Sequence, residues 1–154
     1  MKKHVAVITL IAISIISTFA FTIFQSHKLA PKIVLPNEIK WKTDAKSSGE
    51  LQTIVLAGDP DKNELYTSRI KIPANMKLQP HFHLESRTVV VLSGTLYYAY
   101  GKNFVESKLT AMPPGTFFTE PSKQPHFAWA KDGDVVVQVT GVGPTGTKLL
   151  TQDH

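Results

Sequence analysis

The chain has 154 residues, no cysteine, and 17 Lys+Arg against 12 Asp+Glu, a formal charge of +5. The lack of cysteine excludes disulfides, thiolate metal sites and cysteine nucleophiles. Lys2 and Lys3 sit at the extreme N-terminus, and the other basic residues are scattered without a basic run, which argues against nucleic-acid binding.

Met1 to His4 is a short basic start, and Val5 to Phe24 then runs apolar, broken only by hydroxyl residues. Such a run approaches the roughly 20 residues that span a bilayer. Residues 1–26 therefore read as a signal peptide or an N-terminal membrane anchor, and the protein as exported: periplasmic, secreted or tethered by this segment alone. Residues 27–50 are polar, with Pro31, Pro36 and Ser47-Ser48-Gly49, and read as a linker and arm that settles near Trp41. The folded domain is expected over 51–154.

Leu51 to Ala57 is strand-like, and Gly58-Asp59-Pro60-Asp61 is a turn. Glu64 to Ile72 alternates with period two, placing Tyr66, Ser68, Ile70 and Ile72 on one face. Pro73-Ala74-Asn75 breaks it, and Asn75 suits a left-handed turn. After the histidine-bearing stretch come strands over Thr88–Ser93 and Thr95–Tyr100, with a tight turn at Gly94. Asn103 and Glu106 resemble a capping box and predict a helical turn over Phe104–Leu109. Pro113-Pro114-Gly115 and Pro121 to Pro125 bracket a strand at Thr116–Thr119 and deliver His126 to the start of the next. Asp132-Gly133 predicts a hairpin into Val135–Thr140, and Thr147–Leu150 is the last strand. Short strands punctuated by Gly and Pro, with no long amphipathic helix, indicate an all-β sandwich or closed barrel.

The chemistry concentrates at Pro80-His81-Phe82-His83. On a strand, residues i and i+2 share a face, roughly 6.5–7 Å apart, so two imidazoles can lean onto one metal ion. The plain alternative is a pair of exposed strand histidines. Nothing in the sequence resembles a Ser-His-Asp order, a phosphate-cradling glycine loop or a paired-carboxylate motif.

Two segments resemble the motifs of the cupin superfamily, small jelly-roll barrels that carry a metal or ligand inside. The first runs from Asn75 through His81-Phe82-His83 and Arg87 to Gly94. The second runs from Gly115 through Pro121, Lys123 and His126 to Ala130. Asn75 and Lys123 stand where the family has Gly, and Ala130 where it has Asn. Arg87 occupies the usual glutamate position, and Glu85 is the nearest carboxylate. The resemblance implies an all-β, cupin-type jelly-roll β-barrel preceded by the N-terminal hydrophobic helix. It also implies a divalent transition metal (Zn, Fe, Mn or Ni) on His81, His83 and His126, with Glu85 as a further ligand. Arg87, if it points inward, either repels a cation or pairs with an anionic ligand; otherwise it is a surface arginine or part of a structural salt bridge. Tyr98 and Gln138 are candidate contacts to a small-molecule ligand. Two functions follow: a metalloenzyme acting on a small oxygen-containing substrate, or a non-catalytic small-ligand-binding module, with or without metal. By analogy with small cupins the protein is a homodimer, with Phe127 and Trp129 packed under a second subunit.

Overall fold

The computed structural model describes residues 29–43 and 50–150. The expected leader, residues 1–26, lies outside the described residues. Among the described residues no helix is long and apolar enough to cross a membrane.

Among the described residues eleven strands follow in chain order: β1 (Lys42–Thr43), β2 (Gln52–Ala57), β3 (Leu65–Ile72), β4 (Lys77–His83), β5 (Arg87–Ser93), β6 (Leu96–Tyr100), β7 (Thr110–Met112), β8 (Phe117–Glu120), β9 (His126–Trp129), β10 (Val135–Val142) and β11 (Thr147–Leu149). They form a six-stranded sheet, β1-β2-β3-β10-β5-β8, and a five-stranded sheet, β11-β4-β9-β6-β7. Every pairing is antiparallel. Among the described residues no strand of one sheet pairs with a strand of the other, so the expected closed barrel is instead an open two-sheet sandwich.

The core lies between the sheets. Strand β10 shows why: Val135, Val137 and Val139 are buried, while Val136, Gln138 and Thr140 between them are only partly so. These valines pack with Tyr66, Ile72, Val89, Val91 and Phe118 from the same sheet and with Leu96, Tyr98 and Ala128 from the other.

Strand β4 does not keep simple alternation. Its pairing with β9 runs Lys77↔Trp129, Leu78↔Ala128, then His81↔His126. Between the last two pairs, Gln79 and Pro80 on β4 oppose the single Phe127 on β9, a bulge placed where proline has no N–H to give the ladder. The extra residue shifts the phase, so that Leu78 packs against the core and His81 and His83 also face inward.

Two turns differ from their sequence reading. Asp132-Gly133 joins β9 to β10, which lie in different sheets, so it crosses the sandwich rather than closing a hairpin. The helical turn shortens to Glu106–Lys108, and Val105 occupies its N-cap without a side-chain hydrogen bond, so Asn103 caps nothing.

Gly94 also links the two sheets, with φ +72°. A Cβ there would stand 2.3 Å from the Asp134 carbonyl oxygen, because the two crossing loops press together. Gly94→Ala is expected to cost about 2 kcal/mol or more, read as a lower urea midpoint. An unchanged midpoint would mean that this backbone accepts a side chain.

Candidate metal centre

His81 and His83 enter from β4, and His126 enters from β9 as the registered partner of His81. All three are buried. Ring centroids stand 4.3 Å apart for His81–His126, 5.0 Å for His81–His83 and 5.1 Å for His83–His126. One nitrogen from each ring lies within 4.8 Å of the others.

Hydrogen bonds fix which nitrogen is free. His81 Nδ1 lies 2.7 Å from the Gln79 carbonyl and His126 Nδ1 lies 3.0 Å from the Gln124 carbonyl. A carbonyl only accepts, so both Nδ1 atoms carry the proton and both Nε2 atoms keep a lone pair. Arg87 donates through Nη2 to His83 Nε2 at 2.6 Å, and a guanidinium only donates, so that Nε2 is also a lone-pair nitrogen. The remaining His83 nitrogen, Nδ1, lies 3.2 Å from Thr147 Oγ1. His126 Nε2 is buried and has no hydrogen-bond partner. An orphaned buried basic nitrogen beside two other lone-pair nitrogens is costly unless something positive binds there. Three neutral imidazoles suit a divalent transition metal better than Mg or Ca.

The environment keeps these rings neutral. Burial, reinforced by His126, lowers the His81 pKa to about 4. Burial and then Arg87 lower that of His83, and burial lowers His126 against the opposing pull of Glu120. The unfolded chain therefore binds protons that the folded site refuses. Stability is fully present above the ordinary histidine pKa of 6.5 and is lost as pH falls from there towards 4. His81 alone contributes on the order of 3 kcal/mol to that loss. Urea unfolding with chelator present, at pH 7 and at pH 4.5, checks this; equal stability at both would contradict it.

The opposite wall comes from the six-stranded sheet. Arg87 on β5 is the registered partner of Glu120 on β8. Arg87 Nε donates to Glu120 Oε2 at 2.5 Å. Burial works against the Arg87 charge, but Glu120 outweighs it and the guanidinium pKa is raised. Glu120 Oε1 lies 3.4 Å from His126 Nε2, and Oε2 lies 3.7 Å from His83 Nε2. Glu120 escaped the sequence reading. Its signal was period-two alternation in β8, which puts Phe118 and Glu120 together on the buried face.

The other expected site residues divide. Tyr98 is buried, stacks on His126 with centroids 5.4 Å apart, and its hydroxyl has no hydrogen-bond partner. It belongs to the site wall. Glu85 is turned away from the histidines: its Oε1 accepts from Tyr66 Oη at 2.8 Å and from Thr145 Oγ1 at 2.5 Å. The β4–β5 turn at residues 84–86 aims it there. Gln138 is not at the site; it accepts from Arg69 Nε at 3.2 Å, out of phase with the buried valines of β10. Phe127 is covered within its own chain by Phe104, at 5.0 Å between centroids, and Trp129 carries Lys77 over its ring at 4.2 Å.

A family model described as "Domain of unknown function (DUF4437)" matches residues 32–141. The chain belongs to the DUF4437 family. No curated protein matches the sequence. Among solved structures, this DUF4437 chain is similar to KdgF from a Halomonas species: 21% identity over 74% of this chain and 96% of that one, TM-score 0.57. It is similar to the polyketide cyclase RemF from Streptomyces resistomycificus: 18% identity, 80% and 89% coverage, TM-score 0.63. It is also similar to the DMSP lyase DddQ from Ruegeria pomeroyi DSS-3: 15% identity, 86% and 87% coverage, TM-score 0.60. These likenesses show that the DUF4437 domain shares its fold with those proteins.

Proposed function

We propose that this protein is a metal-dependent cupin that acts on a small oxygen-containing substrate. The observation that carries the reading is the orphaned, buried Nε2 of His126 facing two more lone-pair nitrogens. His81, His83 and His126 would hold the ion, with the Gln79 and Gln124 carbonyls keeping two of the rings in the ligating tautomer. A divalent ion bound there supplies Lewis acidity to a substrate oxygen. Arg87 would supply positive charge for an anionic substrate group, and the Tyr98 hydroxyl an unspent hydrogen bond. The fold neighbours that support a small substrate are a polyketide cyclase and DMSP lyases.

A second reading has its own observation. Arg87 Nη2 already donates to the lone pair of His83 that an ion would need. A binding module that takes a small anion on Arg87, without chemistry, fits that contact. Elemental analysis of protein purified without a chelating tag separates the two. About one transition-metal ion per chain, with open coordination positions that take up azide, supports the enzyme. No metal even after reconstitution supports the module.

We further propose export, on the apolar run from Val5 to Phe24, and self-association as a homodimer. Cell fractionation and the mass of the purified protein in solution test these two readings.

A further inference from the structure

We propose that Glu120 is a fourth metal ligand, a carboxylate delivered to the three histidines from the opposite sheet and held in place by Arg87. The proposal rests on the three-histidine reading and adds to it a donor from a different part of the fold.

The geometry of Glu120 is hard to explain otherwise. Its two oxygens stand 3.4 and 3.7 Å from the Nε2 atoms of His126 and His83. Those nitrogens carry lone pairs, as the contacts at Nδ1 of His126 and Nε2 of His83 require. Between His83 Nε2 and Glu120 Oε2 the Arg87 guanidinium supplies the positive charge, but His126 Nε2 and Glu120 Oε1 face each other as two acceptors in a buried space with no donor between them. The distances exceed a hydrogen bond. They are close to the roughly 3–3.4 Å that separates two donors each about 2.1 Å from one ion. Glu120 is 5% exposed, so water does not screen the repulsion.

Arg87 does not remove the need. Its Nε and Nη2 reach Glu120 Oε2 and His83 Nε2, but neither contact serves His126 Nε2, which remains without a partner. Glu85, the other buried carboxylate near these strands, is held through Oε1 by Tyr66 and Thr145, while its Oε2 is buried without a partner. The fixed register Arg87↔Glu120 means that the guanidinium anchors the carboxylate while its second oxygen faces His126. The resulting set is three nitrogens and one oxygen, which favours Fe(II), Mn(II), Zn(II) or Co(II) over softer ions.

The test uses the full chain, stripped with chelator and titrated with Co(II), with affinity measured against a chromophoric competitor and the visible d–d spectrum recorded. Glu120→Gln is expected to weaken Co(II) binding about 100-fold and to shift the spectrum. Glu120→Asp keeps the charge but withdraws it by one methylene, and is expected to lose about tenfold while folding normally; it serves if the glutamine variant does not fold. Wild-type affinity and spectrum in the folded variants, alongside loss of binding in His126→Ala, would overturn the role of Glu120 and leave the histidines standing. Loss of affinity in Glu85→Gln with none in the Glu120 variants would move the fourth donor to Glu85. Failure of the unaltered chain to take Co(II) would overturn both readings together.

Discussion

Replacing His126 with alanine is expected to strip the protein of its transition metal while leaving it folded. Content should fall from about one ion per chain to below a tenth of that, with affinity reduced by about 100-fold or more. The reason is positional. His81 and His83 come from one strand, and His126 is the histidine of the group that comes from its neighbour. Without it the remaining imidazoles no longer surround an ion. The fold should survive, because the lost nitrogen contributes no hydrogen bond at Nε2. The loss includes the Nδ1 contact to Gln124 and the stacking on Tyr98, a modest destabilisation. Far-ultraviolet circular dichroism together with elemental analysis checks both halves. A folded variant that keeps its full complement of metal would sink the histidine reading.

Arg87→Met is expected to have the largest effect on stability, about 3–5 kcal/mol measured by urea unfolding in chelator. The guanidinium neutralises Glu120 where both side chains are almost entirely buried. Methionine fills the space but leaves the carboxylate facing two nitrogen lone pairs with nothing to offset its charge. The double variant Arg87→Met, Glu120→Met should recover most of the loss, since replacing both members of a buried ion pair is often neutral. Adding Zn(II) to the single variant should also restore part of it, because an ion bound beside Glu120 supplies the missing positive charge. If the single and double variants are equally unstable, the cost comes from packing around residue 87 and not from its charge.

The sequence showed much of this, for reasons that can be named. Two histidines at a spacing of two after a proline mark one face of a strand, and β4 presents both inward. Asn75 adopts φ 65° and Lys123 adopts φ 60°, so both keep the left-handed backbone of the glycines they replace in the cupin-like motifs. Other features depend on partners that lie far away in the chain. Whether Asp132-Gly133 closes a hairpin depends on which sheet receives β10, and turn chemistry is silent on that. Glu120 faces Arg87 only because β5 and β8 are neighbours in a particular register, a tertiary fact. The bulge at Gln79-Pro80 depends likewise on β9, although Pro80 hinted at it. Gln138 is a different case. The alternation of Val135, Val137 and Val139 places it on the other face of β10, away from the core.

Because the imidazoles hang from one sheet and the Arg87–Glu120 pair from the other, the gap between them is an interlayer dimension. What sets it is the apolar filling between the layers, with Val89, Val91, Val137 and Val139 acting as spacers. The hydrocarbon interior is in this sense a shim that calibrates the polar centre. Thinning it by a methyl group or two lets the layers creep together, altering how tightly the centre grips its ion without changing any residue that touches it.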